Sequence, residues 1–228
     1  SLSLASGILH ARDLKNEKSN IVAIIGDGAL SGGMAYEGLN TIATLGTNAI
    51  IIINDNDQSI AKNPKGGIYT ALESLRESKG QATNNIFKAL GYDYHYLEDG
   101  NNLEELISLF KEVKDIDHPV VLHIYTEKGK GFEPAEQNHE KFHAGGPFSL
   151  ETGEYIKKGA VTSTYNGITS EYLTKKLNED PLAVVINAGT PGIVFNRKLR
   201  EQLGSQFVDV GIAEEQAVTM TTGLAKNG

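Results

Sequence analysis

The sequence predicts an α/β fold, a mainly parallel sheet flanked by helices, followed by the start of a second α/β domain. Two observations carry that expectation. Short runs rich in Ile and Val alternate with longer helix-type segments, and the runs at 21–25 and 49–53 are continuously apolar, as in strands covered on both faces. A third observation divides the chain: the rhythm breaks at a polar, glycine-containing stretch, 151–165, and restarts after it.

Taken in order, Leu4 to Leu14 reads as a helix with apolar residues at 4, 5, 8, 9 and 11. Ile21 to Ile25 is a strand that runs straight into Gly26-Asp27-Gly28. A helix opening near Ser31-Gly32-Gly33 leads to the strand Ile50 to Ile53, which ends in Asn54-Asp55-Asn56. Between residues 59 and 85 the pattern weakens into Gly- and Lys-rich text with the charged segment ALESLRESKG, a candidate lid or mobile loop. Asn102 to Val113 is an amphipathic helix, with Leu103, Leu106, Ile107, Leu109, Phe110 and Val113 on its apolar side. Pro119 to Tyr125 is another buried strand. Residues 151–165 read as an interdomain linker. Beyond it come a helix at 169–178, a strand at 182–187, a helix around 196–203, a strand at 207–210 and a helix from about 213. The expected domains are therefore 1–150 and an incomplete 166–228.

Composition excludes several classes of function. Of the 228 residues, 39% are hydrophobic and 22% charged, the balance of a soluble globular protein. A net charge of −8 without a long basic run argues against nucleic acid as a partner, since binding its phosphates needs clustered Lys and Arg. No stretch approaches the roughly 20 apolar residues that cross a bilayer. No export signal is visible, so no membrane is expected and the cytoplasm is the expected compartment. The absence of cysteine rules out disulfide and thiolate chemistry. Ser1-Leu2-Ser3 already reads as the interior of a helix, so the chain is expected to be part of a larger protein.

The chemistry is concentrated between residues 26 and 58. Strand ends deliver Asp27 and Asn56, 29 positions apart, from two strands expected to lie side by side. Magnesium takes about six oxygen ligands near ~2.1 Å, usually only one or two of them carboxylates. Asp27, Asn56 and a nearby backbone carbonyl would leave positions for two phosphate oxygens and a water. Gly26 and Gly28 would let the backbone approach an anion and adopt turn conformations closed to other residues. The following helix would aim its N–H groups at the same anion, and ligands of open parallel sheets bind beyond the carboxyl ends of the strands. Singly, GDG suits an ordinary turn and NDND an ordinary polar loop; their pairing across a helix favours a site. The P-loop and dinucleotide glycine spacings are absent.

GDG followed about thirty residues later by a double Asn resembles the thiamine diphosphate signature. SLSLASGILHARDL, GDGALSGGMAYEGLN, NDNDQSIA, EKGKGFEPAEQNHEKFHAGGPF and FVDVGIAEEQAVT resemble, in order along nearly the whole chain, the 1-deoxy-D-xylulose-5-phosphate synthase family, relatives of transketolase. The resemblance implies thiamine diphosphate and Mg²⁺ as cofactors. It implies decarboxylation of pyruvate and transfer of the two-carbon unit to glyceraldehyde 3-phosphate, for isoprenoid, thiamine and pyridoxal biosynthesis, in a cytoplasmic homodimer. Residues 1–150 then correspond to the diphosphate-binding domain and 166–228 to the beginning of the pyrimidine-binding domain. Asp27, Asn56 and the Gln58 carbonyl would hold the metal, while Gly26, Gly28 and Ala29 would meet the diphosphate. Ser59 and Ile60 match positions near the thiazolium and diphosphate. Lys128 and His143 match residues facing the cofactor, His143 as a proton carrier; their bland alternatives are a solvated charge and a loop histidine.

Glu214, where the strand 207–210 gives way at Gly211 to a helix, matches the glutamate that acts on the aminopyrimidine ring. Its bland alternative is compensation of the helix dipole, for which Glu215 is equally suited. The sequence departs from the family at Gln216, where a His is usual, which keeps a transketolase-like ketol transfer open. A non-catalytic cofactor-binding piece is a third alternative, which turnover by these 228 residues alone would exclude. The histidines at 10, 95, 118, 123 and 139 lack metal-ligand spacing and read as structural or surface residues.

Overall fold

The apolar runs become the strands of a four-stranded parallel sheet in a computed structural model that describes residues 1–64, 66–156 and 164–226. Two compact units divide the chain: Ser1–Gln58 with Lys65–Lys128, and Ser59–Pro64 with Gly129–Gly228.

In the first unit the order is α1 (Leu2–Leu14), β1 (Val22–Gly26), α2 (Gly33–Leu45), β2 (Ala49–Asp55), α3 (Gly67–Glu77), α4 (Ile86–Ala89), β3 (Asp93–Leu97), α5 (Leu103–Val113) and β4 (Pro119–Tyr125). The strands lie in the order β1-β2-β4-β3, every neighbouring pair parallel. Ile51 and Ile53 point from β2 into a core shared with Leu2, Leu9, Leu39, Ile42, Leu72, Leu75 and Phe87. Ile50 and Ile52 point the other way, into a core with Val113, Val120, Leu122 and Ile124. Continuous apolar text at 49–53 thus reflects burial on both faces; each such side chain contributes about 1.5–3 kcal/mol.

β1 departs from that expectation. Ala23 and Ile25 are buried, but Val22 and Ile24 are 50% and 63% exposed, because β1 is an edge strand and α1 and α2 cover only one of its faces. α2 stops at Gly46, whose φ of 62° closes the helix through its N–H to the Ile42 carbonyl. α5 starts on Asn102, whose side chain accepts from the N–H groups of Glu104 and Glu105 and donates to Glu105 Oε1.

α1 meets α2 at Gly38, where an added Cβ would stand 2.6 Å from Leu2 Cβ and 2.9 Å from the Ser3 backbone nitrogen. Gly38→Val is therefore expected to cost about 3 kcal/mol, the upper end of overpacking penalties, since backbone cannot yield as a flexible side chain can. Denaturant unfolding tests it; a midpoint equal to the unsubstituted protein's would contradict the contact.

Within the stretch expected to be mobile, residues 67–77 form α3. Its Tyr69, Leu72 and Leu75 are buried, so this part is a packed helix of the sheet's main core rather than a free loop.

The second unit holds α6 (Glu133–Gln137), α7 (His139–His143), α8 (Tyr165–Glu179), β5 (Val185–Asn187), α9 (Arg197–Leu203), β6 (Phe207–Asp209) and α10 (Glu214–Lys226). β5 and β6 pair in parallel, Val185 opposite Phe207, over a core of Leu177, Phe195 and Leu203. Residues 129–150 belong here, whereas the sequence expectation put them in the first domain. They carry an aromatic cluster, Phe132, Phe142 and Phe148, joined by Tyr155, which is bridged to Phe148, and their Glu140 pairs with Arg200 of α9 at 3.1 Å. Of the expected linker, 157–163 lies outside the described residues. No helix among the described residues is long and apolar enough to cross a membrane.

Candidate functional site

Parallel pairing of β1 with β2 sets Gly26 opposite Asn54 and carries both motifs to the same end of the sheet. Asp27 N–H then donates to the Asn54 carbonyl at 3.2 Å, joining the two strand tips. Asp27 is almost wholly buried, at 2% exposure. No atom lies within 4 Å of the point where a Cβ on Gly26 would stand, so the backbone beside Asp27 is open to close approach. Gly28 has φ −59° and ψ −44°, ordinary helical values, and Gly26 is likewise not among the glycines with positive φ. The expected need for forbidden turn conformations is not met; what the glycines supply is room. Gly28 starts a short 3-10 turn, Ala29–Ser31, and its carbonyl accepts from Ser31 Oγ at 3.0 Å and from the Tyr69 hydroxyl at 3.3 Å.

The β2 tip is ordered by its own side chains. Asn54 Oδ1 accepts from Thr126 Oγ1 at 2.7 Å, and Asn56 Oδ1 accepts from Gln58 N–H at 3.2 Å. An amide oxygen has two acceptor directions, and Gln58 takes one of those on Asn56. Asp57 turns the chain at φ +57°.

Sequence reasoning missed what lies beneath this tip. Asp55 is completely buried, and its Oδ2 accepts from Arg76 Nη1 at 2.6 Å and from His123 Nε2 at 2.8 Å. Its Oδ1 accepts from Asp57 N–H at 3.0 Å. Arg76 reaches on to Asp57 Oδ1, 3.3 Å from Nη2. Burial opposes the charge on Asp55, but His123 and then Arg76 outweigh it and hold the carboxyl below its ordinary range. His123 Nδ1 lies 2.8 Å from the Tyr94 hydroxyl, and burial raises Tyr94 above the ordinary phenol value. The available signal was His123 itself, a polar residue inside the otherwise apolar strand VVLHIY. Expected to be structural or at the surface, it is fully buried and hydrogen-bonded to Asp55 at the strand tip.

Lys128 belongs to the same unit as Asp27. Burial lowers its ammonium below the ordinary lysine value, while the Asp27 carboxylate pulls the other way, so the two groups sense each other's charge.

Ser59, Ile60, His143 and Glu214 fall in the second unit. Ser59 N–H donates to the Ala61 carbonyl at 3.0 Å. His143 is exposed at the last position of α7, next to Phe142 of the aromatic cluster. Glu214 is exposed at the first position of α10. Asp209, at the end of β6, arranges the turn before it: its Oδ1 accepts from the N–H groups of Gly189 and Gly211, and its Oδ2 from Asn187 Nδ2. Gly211, at φ +75°, supplies the left-handed step there.

The family described as 1-deoxy-D-xylulose-5-phosphate synthase matches residues 1–85 and 68–126. A 1-deoxy-D-xylulose-5-phosphate synthase of Listeria monocytogenes serotype 4b is 40% identical over 235 residues, covering 100% of this chain and 38% of the relative. Those of Halothermothrix orenii and Clostridium acetobutylicum are 35% and 38% identical over 263 and 267 residues, with 41% and 42% of the relatives covered. The chain spans about two-fifths of the length of the curated relatives it matches. The last two matched spans exceed its 228 residues, so those relatives carry internal segments that it does without.

Proposed function

The chain belongs to the 1-deoxy-D-xylulose-5-phosphate synthase family, and from that premise we propose that it builds the magnesium and diphosphate end of a thiamine diphosphate site. The enzyme decarboxylates pyruvate and transfers the remaining two carbons to glyceraldehyde 3-phosphate. The observation that carries this proposal is the joining of the Asp27 and Asn54-Asp55-Asn56 tips by parallel pairing and by Asp27 N–H to the Asn54 carbonyl.

The residues present fit the group. The oxygen donors Asp27, Asn56 and the Gln58 carbonyl suit a hard cation, and the open space at Gly26 suits a phosphate approaching the backbone. Phosphate oxygens and water would complete the shell around these three donors. Gly28 and Ala29 would meet the diphosphate, and Ser59 and Ile60 match family positions near the thiazolium and diphosphate. Lys128 adds positive charge beside Asp27, where partial burial strengthens its attraction for an anion. Thiamine diphosphate, when bound, supplies the nucleophilic carbon and the electron sink for decarboxylation. Glu214 would hold a proton at a pyrimidine nitrogen of the bound cofactor, and His143 would carry protons to and from the reacting oxygen. Magnesium, the homodimer and a cytoplasmic location belong to the same proposal.

The test is release of CO2 from pyruvate by the intact protein supplied with Mg²⁺ and thiamine diphosphate, with and without glyceraldehyde 3-phosphate. Release dependent on both cofactors is the expected result. A protein that releases none but exchanges ketol groups between sugar phosphates would be the transketolase-like alternative raised by Gln216.

A further inference from the structure

The geometry points to Asp55, Arg76 and His123 as positioning residues that hold the left-handed turn at Asp57 and thereby present the Asn56 side chain and Gln58 carbonyl to a cation, a role that rests on the cofactor site proposed above. Asp57 has φ +57°, a left-handed conformation that Asp tolerates better than most L residues but less readily than glycine, and it lies between the two groups assigned to the metal. Two of its contacts come from this network. Its N–H donates to Asp55 Oδ1 at 3.0 Å, and its carboxylate meets Arg76 Nη2 at 3.3 Å.

Arg76 spans the turn with its two arms, Nη1 on Asp55 and Nη2 on Asp57, as only a planar, forked cation can. His123 takes the other approach to Asp55 Oδ2, and Thr126 N–H donates to the Asp55 carbonyl at 2.8 Å. With both oxygens engaged, Asp55 is turned away from any ligand despite being a carboxylate in a metal-binding tip. Groups that orient metal ligands in this way affect affinity without touching the ion.

The experiment titrates Mg²⁺ into the intact protein at fixed thiamine diphosphate and reads cofactor binding calorimetrically. Thermal midpoints are measured separately, without cation or cofactor. Arg76→Met is expected to raise the half-saturating Mg²⁺ concentration by about 10–100-fold. Adding Asp57→Gly to that variant should bring it back toward the unsubstituted value, because glycine takes positive φ without help from Arg76. If Arg76→Met fails to fold, Arg76→Lys replaces it, retaining the charge but losing the fork.

An Arg76 variant that lowers the thermal midpoint while leaving the Mg²⁺ response unchanged overturns the positioning role, as does failure of Asp57→Gly to restore the response. Asp27→Ala, run in parallel, separates the two claims. Lost binding there with a normal response in the Arg76 variant overturns positioning alone. A normal response in Asp27→Ala overturns the cofactor site itself.

Discussion

Asp27→Ala is expected to abolish magnesium-dependent binding of thiamine diphosphate, raising the apparent dissociation constant by at least about 100-fold, since loss of groups that merely support ligands already costs 10–100-fold. Asp27 is the one carboxylate in the proposed ligand set, and the other two members are neutral carbonyl oxygens. Its loss removes a ligand and the charge that balances the cation together. It would also leave Lys128 without the carboxylate that opposes the effect of burial on its ammonium. Asp27→Asn keeps the shape and one oxygen, so it should fall between the two. A binding titration of the intact protein with and without Mg²⁺ decides the matter: equal affinities for the alanine variant and the unsubstituted protein would refute the assignment of Asp27. The backbone bond from Asp27 N–H to Asn54 survives either substitution, so the strand tips should stay joined.

Glu214→Gln carries the second large effect, on turnover rather than on binding. A glutamine keeps the shape of the side chain and its hydrogen-bonding reach but cannot exchange a proton with a ring nitrogen. Removing a positioned acid or base of this kind lowers kcat by about 10²–10⁴-fold. Cofactor affinity should change little, because other residues are proposed to hold the diphosphate and magnesium. Glu215 is the control. It shares the first turn of α10 and interacts as well with the helix dipole, so Glu215→Gln should forfeit only about 0.3–1 kcal/mol of stability and leave kcat near its original value. Equal kcat losses in the two variants would mean that Glu214 is a helix-start charge and nothing more.

Much of the fold was legible because burial writes itself into β2 and β4. Ala49–Asp55 and Pro119–Tyr125 are apolar nearly throughout, and only a strand covered on both faces requires that. The same logic overreached at β1, where equally apolar text serves an edge strand with Val22 and Ile24 exposed. β3 escaped notice for the opposite reason. Asp93–Leu97 reads as a polar DYHYL, yet Tyr94 is buried against Phe87 and satisfied by His123 from another strand. A tyrosine paired across the sheet looks, in one dimension, like a tyrosine facing water. Residues 129–150 group with the second unit, and the cluster of Phe132, Phe142, Phe148 and Tyr155 that organises this stretch is one that no local periodicity announces.

At the site itself, the order of strand, GDG, helix, strand and NDN was enough to expect a parallel pair with oxygen ligands at its carboxyl end, since side-by-side strands joined by a helix must run the same way. The four letters Asn54-Asp55-Asn56-Asp57 did not say which side chain faces a cation and which faces the core. Alternation along a strand puts residue 55 opposite to residues 54 and 56, but a carboxylate enters the interior only where cations or donors await it. Those came from Arg76 and His123, 21 and 68 positions further along the chain, so the inward turn of Asp55 arises where α3 and β4 close around β2.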